Sequence, residues 1–227
     1  MNLGICYFLS NINELLFPGL CPACGGSRVY NSCICARCQK KIYPLPKPFQ
    51  QKIQEEVQET DNYPVYVGFL FNQTLQKLLH CLKYRNMQKV GWYLGTLLAE
   101  QLTINGLAQF DYIIPIPVHQ KRLRERGFNQ TRLICQGISV RTGIPVLGNI
   151  IFKYQYTDSQ TRLNKAERVE NVKNSFILPD PQIIHQKSLL LVDDVITTGA
   201  TINECAKTLA KAQPSFLLKT AVATPWF

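Results

Sequence analysis

The run Leu189-Leu-Leu-Val-Asp-Asp-Val-Ile-Thr-Thr-Gly-Ala-Thr201 constrains the fold of this chain more than any other stretch. Four consecutive apolar residues leave no polar face, so Leu189–Val192 reads as a strand covered on both sides, as strands are in a parallel sheet. Two adjacent acids, Asp193 and Asp194, stand at its C-terminal end, where burial without a purpose is expensive. Thr197, Thr198 and Thr201 supply hydroxyls, and Gly199 supplies a flexible backbone. A helix follows, with Ile202, Cys205, Ala206 and Leu209 on its inner face. The N-terminus of that helix offers unpaired N–H groups and a positive dipole end. The stretch therefore places an anion site beside two carboxylates, and a ribose 5-phosphate is one ligand that needs both. A strand-to-helix turn capped by threonines is the alternative. Neither a P-loop nor a Gly-x-Gly-x-x-Gly fingerprint is present.

The rest of the C-terminal part alternates between strand and helix patterns. Val65–Phe71 reads as a strand, and Leu75, Leu78, Leu79 and Leu82 mark one face of a helix. A second helix is expected over Val90–Leu102. Tyr112-Ile-Ile-Pro-Ile-Pro-Val118 reads as a strand running into a proline-shaped loop. A helix from about Asn129 to Arg141 and a last strand over Phe216–Ala223 complete the pattern. This alternation predicts a parallel sheet flanked by helices.

Upstream, Leu9, Ile12, Leu15 and Leu16 can share a helical face before Pro18. Nine cysteines are present, and five fall between Cys21 and Cys38. Cys21-Pro-Ala-Cys24 and Cys35-Ala-Arg-Cys38 are two C-x-x-C pairs that could hold zinc in a closed, structural, four-thiolate site. Gly25 and Gly26 suit the tight turn of the first knuckle. Four buried reduced thiols and a redox C-x-x-C are the alternatives; Cys33 is read as a spectator. The three prolines of Pro44-Leu-Pro-Lys-Pro48 read as a stiff linker, continued by a polar stretch that is either helix or loose chain. The expected organisation is a helix plus zinc-ribbon module over 1–45, a linker over 46–62 and an α/β domain over 63–227.

The 227-residue chain carries 25 basic and 15 acidic residues, a formal net charge of +10. That balance suits phosphates, nucleotides or nucleic acid as partners. A hydrophobic share of 46% argues against a disordered chain, and no apolar run is long enough to span a bilayer. The first 27 residues hold no Lys or Arg, which does not fit a secretory leader. A cytoplasmic location is the expectation. Lys121, Arg122, Arg124, Arg126 and Arg132 form a basic segment that could clamp a pyrophosphate or track a nucleic-acid backbone. A solvated basic face is the plain alternative. Asn129 is expected to cap the next helix, and Phe128 to be buried rather than stacked on a base. His119 is a candidate acid–base group, whereas His80 and His185 have no evident partner.

The Leu189–Thr201 stretch resembles the phosphoribosyl pyrophosphate (PRPP) motif of type I phosphoribosyltransferases. The chain resembles the ComF family, in which a zinc ribbon precedes a phosphoribosyltransferase-like domain and some members serve DNA uptake in transformation. The residues carrying the resemblance include the four paired cysteines, Leu82-Lys-Tyr-Arg85, Asp111–His119 and Arg122–Gln130. Thr157, Gln160, Leu163, Glu167, Arg168 and Asn171 extend it. The resemblance implies that Asp193 and Asp194 hold the ribose diol as the catalytic pair. It implies that Thr197, Thr198, Gly199, Ala200 and Thr201 hold the 5-phosphate. Pro117, Val118, His119, Lys83 and Arg126 complete the PRPP set, with Mg²⁺ accompanying PRPP and structural Zn²⁺ on Cys21, Cys24, Cys35 and Cys38. Residues from Tyr154 to Arg168 would form a polar loop over the site.

Three functions follow from that resemblance: transfer from PRPP to an unidentified acceptor in support of DNA uptake, a non-catalytic single-stranded DNA adaptor, and a PRPP-sensing regulator. The partners it implies are a phosphoribosyl compound, single-stranded DNA and competence proteins. Thr197 stands where hypoxanthine–guanine phosphoribosyltransferases carry an Asp, which argues against their purine chemistry.

Overall fold

A computed structural model describes residues 19–29, 32–58, 62–107, 109–155 and 172–225. The expected helix through Leu9–Leu16 lies outside them, as do Thr157, Gln160, Leu163, Glu167, Arg168 and Asn171 of the expected loop. The described chain begins with the cysteine-rich stretch and its short helix α1 (Ala36–Gln39), then α2 (Lys47–Gln58). Strand β1 (Val65–Leu70) is followed by α3 (Gln73–Tyr84) and α4 (Gln88–Ile104), and β2 (Tyr112–Pro115) by α5 (Gln120–Arg126) and α6 (Gln130–Thr142). A small antiparallel pair, β3 (Phe152–Lys153) with β4 (Phe176–Ile177), precedes β5 (Ser188–Val195), α7 (Ala200–Ala210) and β6 (Phe216–Thr224).

The main sheet has the order β1-β6-β5-β2, all parallel. Its register places Leu190 opposite both Ile113 and Leu218. The apolar run of β5 alternates between two cores. Leu190 and Val192 face the helices α3, α4 and α6, against Leu78, Leu94 and Ile134. Leu189 and Leu191 face α2 and α7, against Ile53, Ile202 and Leu209. Helices thus cover both faces, which is why the run has no polar side.

The helices start and stop where their sequences direct. Asn72 accepts from the N–H groups of Thr74 and Leu75 at 3.0 and 3.1 Å and caps α3. Asn129 accepts from Thr131 N–H at 3.0 Å and caps α6, as expected, and Gly143 ends that helix in the left-handed region at φ 76°.

The stretch expected as a linker is packed instead. Tyr43–Leu45 runs antiparallel beside β1, with Leu45 N–H donating to Gly68 O at 2.9 Å and Leu70 N–H to Tyr43 O at 3.0 Å. Helix α2 buries Ile53 and Val57 completely. Its Gln54 Oε1 accepts from Val65 N–H at 2.8 Å, and its Gln50 amide accepts from Val67 N–H at 3.1 Å while donating to Val67 O. Two glutamines thereby occupy backbone groups that an edge strand would leave unpaired. Of the two readings of the polar stretch, helix or loose chain, the helix is the one formed, and its polar residues are this edge-covering face.

Candidate functional site

Each strand of the parallel sheet delivers its C-terminal end to one cleft of about 480 Å³. Phe71 arrives from β1, Ile116–His119 from β2, Asp193–Val195 from β5 and Pro225 from β6. The turn Ile196–Thr201 forms one wall, and helix α3 forms the opposite one through Gln76, His80 and Lys83. This is the side on which parallel α/β sheets bind ligands.

Asp194 is nearly fully buried, and its Oδ2 meets Lys83 Nζ at 2.7 Å. Burial pushes the Asp194 carboxyl up, but the charge and hydrogen bond of Lys83 outweigh it and hold the group below the ordinary carboxylate range. Burial likewise pulls Lys83 down, and Asp194 more than restores it, so both partners stay ionised. Asp193 differs. Burial, then the charge of Asp194, raises it to about 7. Its Oδ1 accepts from Asp194 N–H at 2.7 Å. Adjacent acids on one strand end thus have separated protonation behaviour near neutral pH. Lys83, Arg122 and Lys153 bring cations to the same cleft. Burial, then repulsion from Arg122, lowers Lys153.

The turn after β5 is held from behind. Gly199 takes φ 76° and opens α7, and a Cβ there would lie 3.1 Å from Val57 of α2. Asn203 Nδ2 donates to Val57 O at 2.9 Å, and the fully buried Lys219 donates from Nζ to Asn203 Oδ1 at 2.9 Å. Strand β6 and helix α2 therefore both brace the first turn of α7.

Every residue in the expected PRPP set lines the cleft except Arg126. The Arg126 guanidinium lies 5.6 Å above the Tyr84 ring at the rim, and its Nη1 donates to Gln130. His119 does line the cleft, but it caps α5. Its Nδ1 accepts from Lys121 N–H at 3.1 Å, so Nε2 carries the proton and faces Tyr154 O at 3.1 Å. With both nitrogens engaged, it orients the loop rather than offering a free acid–base group. Asn129 Nδ2 donates to Ile116 O at 3.0 Å and fixes the same loop from the other side. Phe128, expected to be buried, is partly buried and packs against the edge of the core. His185, partnerless in sequence, meets Ala212 O at 3.0 Å. Sequence reasoning missed Gln76 and His80 as cleft residues. Their signal is the polar stripe of α3, where Gln76, His80 and Lys83 follow at helical spacing opposite the buried leucines.

The four paired cysteines come together. Their Sγ atoms all lie within 4.8 Å of one another, with Cys24 and Cys35 at 3.6 Å. A tetrahedron with Zn–S bonds of about 2.3 Å has an edge of about 3.8 Å, so the four thiols fit zinc. Gly25, at φ 74°, turns the first knuckle, where Cys21 N–H donates to Gly26 O at 2.8 Å. Cys33 stands outside the cluster.

No protein-family model matches the chain. Individual relatives do. It is 32% identical over 197 residues to the DNA utilization protein YhgH of Salmonella typhimurium, covering 85% of this chain and 78% of that one. It is 30% identical over 208 residues to competence protein F of Haemophilus influenzae, covering 84% and 90% respectively. The chain belongs to the ComF family. Competence protein ComFC of Bacillus subtilis is 21% identical over 205 residues, covering 90% of this ComF-family chain and 77% of its own. Among solved structures, a glutamine PRPP amidotransferase from B. subtilis aligns with 57% of the chain and 25% of its own, at 20% identity and a TM-score of 0.39. Among the described residues, no helix is long and apolar enough to cross a membrane.

Proposed function

We propose that this ComF-family protein binds Mg²⁺–PRPP in the cleft at the strand ends and transfers its phosphoribosyl group in support of DNA utilization. One observation carries the proposal: two acids with separated protonation behaviour and a glycine-opened helix N-terminus face one cleft that also holds three cations. Asp193 and Asp194 accept from the ribose hydroxyls, the Thr197–Thr201 turn takes the 5-phosphate, and Pro117–His119 with Lys83 and Arg122 lies along the pyrophosphate. The hard carboxylate oxygens suit Mg²⁺, which would be held mainly by substrate and water and would offset the charge of the departing pyrophosphate. Transfer breaks the bond from ribose C1 to pyrophosphate, whose oxygen leaves with the electron pair, as an acceptor lone pair bonds to C1. The protein supplies positioning and charge stabilisation. The DNA-utilization context comes from the relatives' names and family membership. We propose a cysteine module over 1–45 and an α/β domain over 63–227, to which α2, within the 46–62 stretch expected as a linker, adds Ile53 and Val57.

Calorimetric titration of Mg²⁺–PRPP tests this reading. The wild-type protein is expected to bind, and Asp193→Asn/Asp194→Asn to bind at least tenfold more weakly while remaining folded. Equal affinity in the two proteins would overturn the site.

A further inference from the structure

Two groups that the phosphoribosyl reading assigns to different parts of the ligand are paired with each other in this structure. Lys83 Nζ lies 2.7 Å from Asp194 Oδ2, and their side chains are 26% and 7% exposed. The Oδ2 atom itself is shut off from solvent. Both residues line the cleft, one from the last turn of α3 and the other from the end of β5. Their supports are fixed. Leu79 and Leu82 bury α3 in the core, and β5 is hydrogen-bonded along both edges, to β2 and to β6. The freedom lies in the Lys83 side chain, a compact charge on a flexible four-carbon stem.

We propose that this ion pair is a latch, opened only by a ligand that brings both halves of PRPP at once: ribose hydroxyls replace Lys83 on Asp194, and the pyrophosphate takes Lys83. The inference deepens the phosphoribosyl reading and rests on it. The reason is electrostatic. Removing one partner from a buried pair leaves an uncompensated charge and is strongly destabilising, whereas giving each partner a new one keeps both compensated. Ribose 5-phosphate alone reaches Asp194 but strands Lys83. Pyrophosphate alone takes Lys83 but strands Asp194. Either half therefore leaves the pair closed and forgoes a contact, while the intact ligand gains both.

The surroundings favour the exchange. Arg122 and Lys153 line the same cleft, so an arriving polyanion meets cations beside Lys83 and draws its ammonium forward. Arg126 at the rim repels Lys83 and attracts Asp194, which eases the parting from both sides. The latch thus sorts ligands by completeness rather than by any single contact. After transfer, the ribose and the pyrophosphate are separate molecules. The pair can then close again against either one, which speeds product release.

The test uses the full zinc-loaded protein at pH 8 and a fixed Mg²⁺ concentration, with PRPP, ribose 5-phosphate and pyrophosphate as probes. Lys83→Met removes the latch and the pyrophosphate contact together. It is expected to bind ribose 5-phosphate at least about threefold more tightly than the wild type, and pyrophosphate at least about tenfold more weakly. The first change is decisive, because losing a cation would by itself weaken the binding of an anionic sugar phosphate. Asp194→Asn releases Lys83 from the other side. It is expected to bind pyrophosphate at least about threefold more tightly than Asp193→Asn, which removes a neighbouring charge but leaves the pair intact. That comparison decides alone if Lys83→Met does not fold. If PRPP binds the wild type but Lys83→Met gains no affinity for ribose 5-phosphate, or the two Asn variants bind pyrophosphate alike, the latch is overturned and the phosphoribosyl reading stands. If PRPP does not bind the wild type, that reading falls and the latch falls with it.

Discussion

Asp193 is the residue whose function and stability conflict most directly. Its folded pKa of about 7 lies well above the ordinary value of an unfolded Asp. A raised acid favours its protonated form in the fold, so its ionisation removes stability as pH climbs from about 4 to 7, and the whole penalty is present above 7. Asp193→Asn is therefore expected to stabilise the protein by about 1–2 kcal/mol at pH 8, roughly 2–8 °C in Tm, and to change little at pH 4. Thermal melts at the two pH values check this, and an equal shift at both would contradict the assignment. Lys83 acts in the opposite sense. Lys83→Met strands the Asp194 charge, and a cost of about 2 kcal/mol is expected, below the figure for fully buried pairs because Lys83 is 26% exposed. Urea unfolding at pH 7 measures it. The acids and the Thr–Gly turn were legible in sequence because a buried strand ending in two carboxylates has few uses. The Lys83–Asp194 pair was not, since it joins residues 111 positions apart in the chain whose meeting depends on how α3 packs across the sheet.

At the scale of elements, the closest approach is between α4 and α6. A Cβ on Gly95 would lie 2.0 Å from Ile134 O, and one on Gly137 would lie 2.2 Å from Trp92 O. Both obstructions are backbone, which cannot rotate away, so either helix must shift. Gly95→Ala or Gly137→Ala is expected to cost about 2–3 kcal/mol despite the better helix propensity of alanine, which is worth only about 1 kcal/mol in return. Chemical denaturation reads the sign; a stabilised variant would mean that the helices are not packed this closely. Helix α2 makes a different kind of contact. Gln50 and Gln54 satisfy backbone groups of β1, so Gln50→Ala/Gln54→Ala is expected to destabilise the protein by about 1–2 kcal/mol and to promote self-association through the opened edge. Light scattering beside a thermal melt separates the two effects. The main strands and helices were readable because their apolar periods were complete. Helix α2 was ambiguous because its strand-facing side chains are glutamines, and polar residues that pair with backbone look in sequence like residues that face water.

For the whole molecule, the decisive question is how tightly the cysteine module is joined to the α/β domain. The paired C-x-x-C spacing made the four-thiol cluster legible, but spacing carries no information about docking. The structure places Cys21, Ala23, Ile34 and Cys38 in the same buried cluster as Leu75, Leu78, Leu94 and Ile134. A module sharing a core cannot unfold alone without exposing apolar surface on α3 and α4. Structural zinc sites bind with apparent free energies of roughly 10–16 kcal/mol, comparable to the entire stability of a domain. Removing the metal is therefore expected to lower the Tm of the main transition by roughly 10 °C or more, rather than to melt a separate small unit. Metal analysis should find one zinc per chain, and Cys24→Ser should lower that content and reproduce the shift. A calorimetric scan of the chelated protein decides the matter. One transition moved to lower temperature means that a shared core carries the loss through the molecule. An unchanged main transition beside a new early one would mean that the module only rests on α3, and it would then form and dissolve with the metal while the strand-end cleft remained intact.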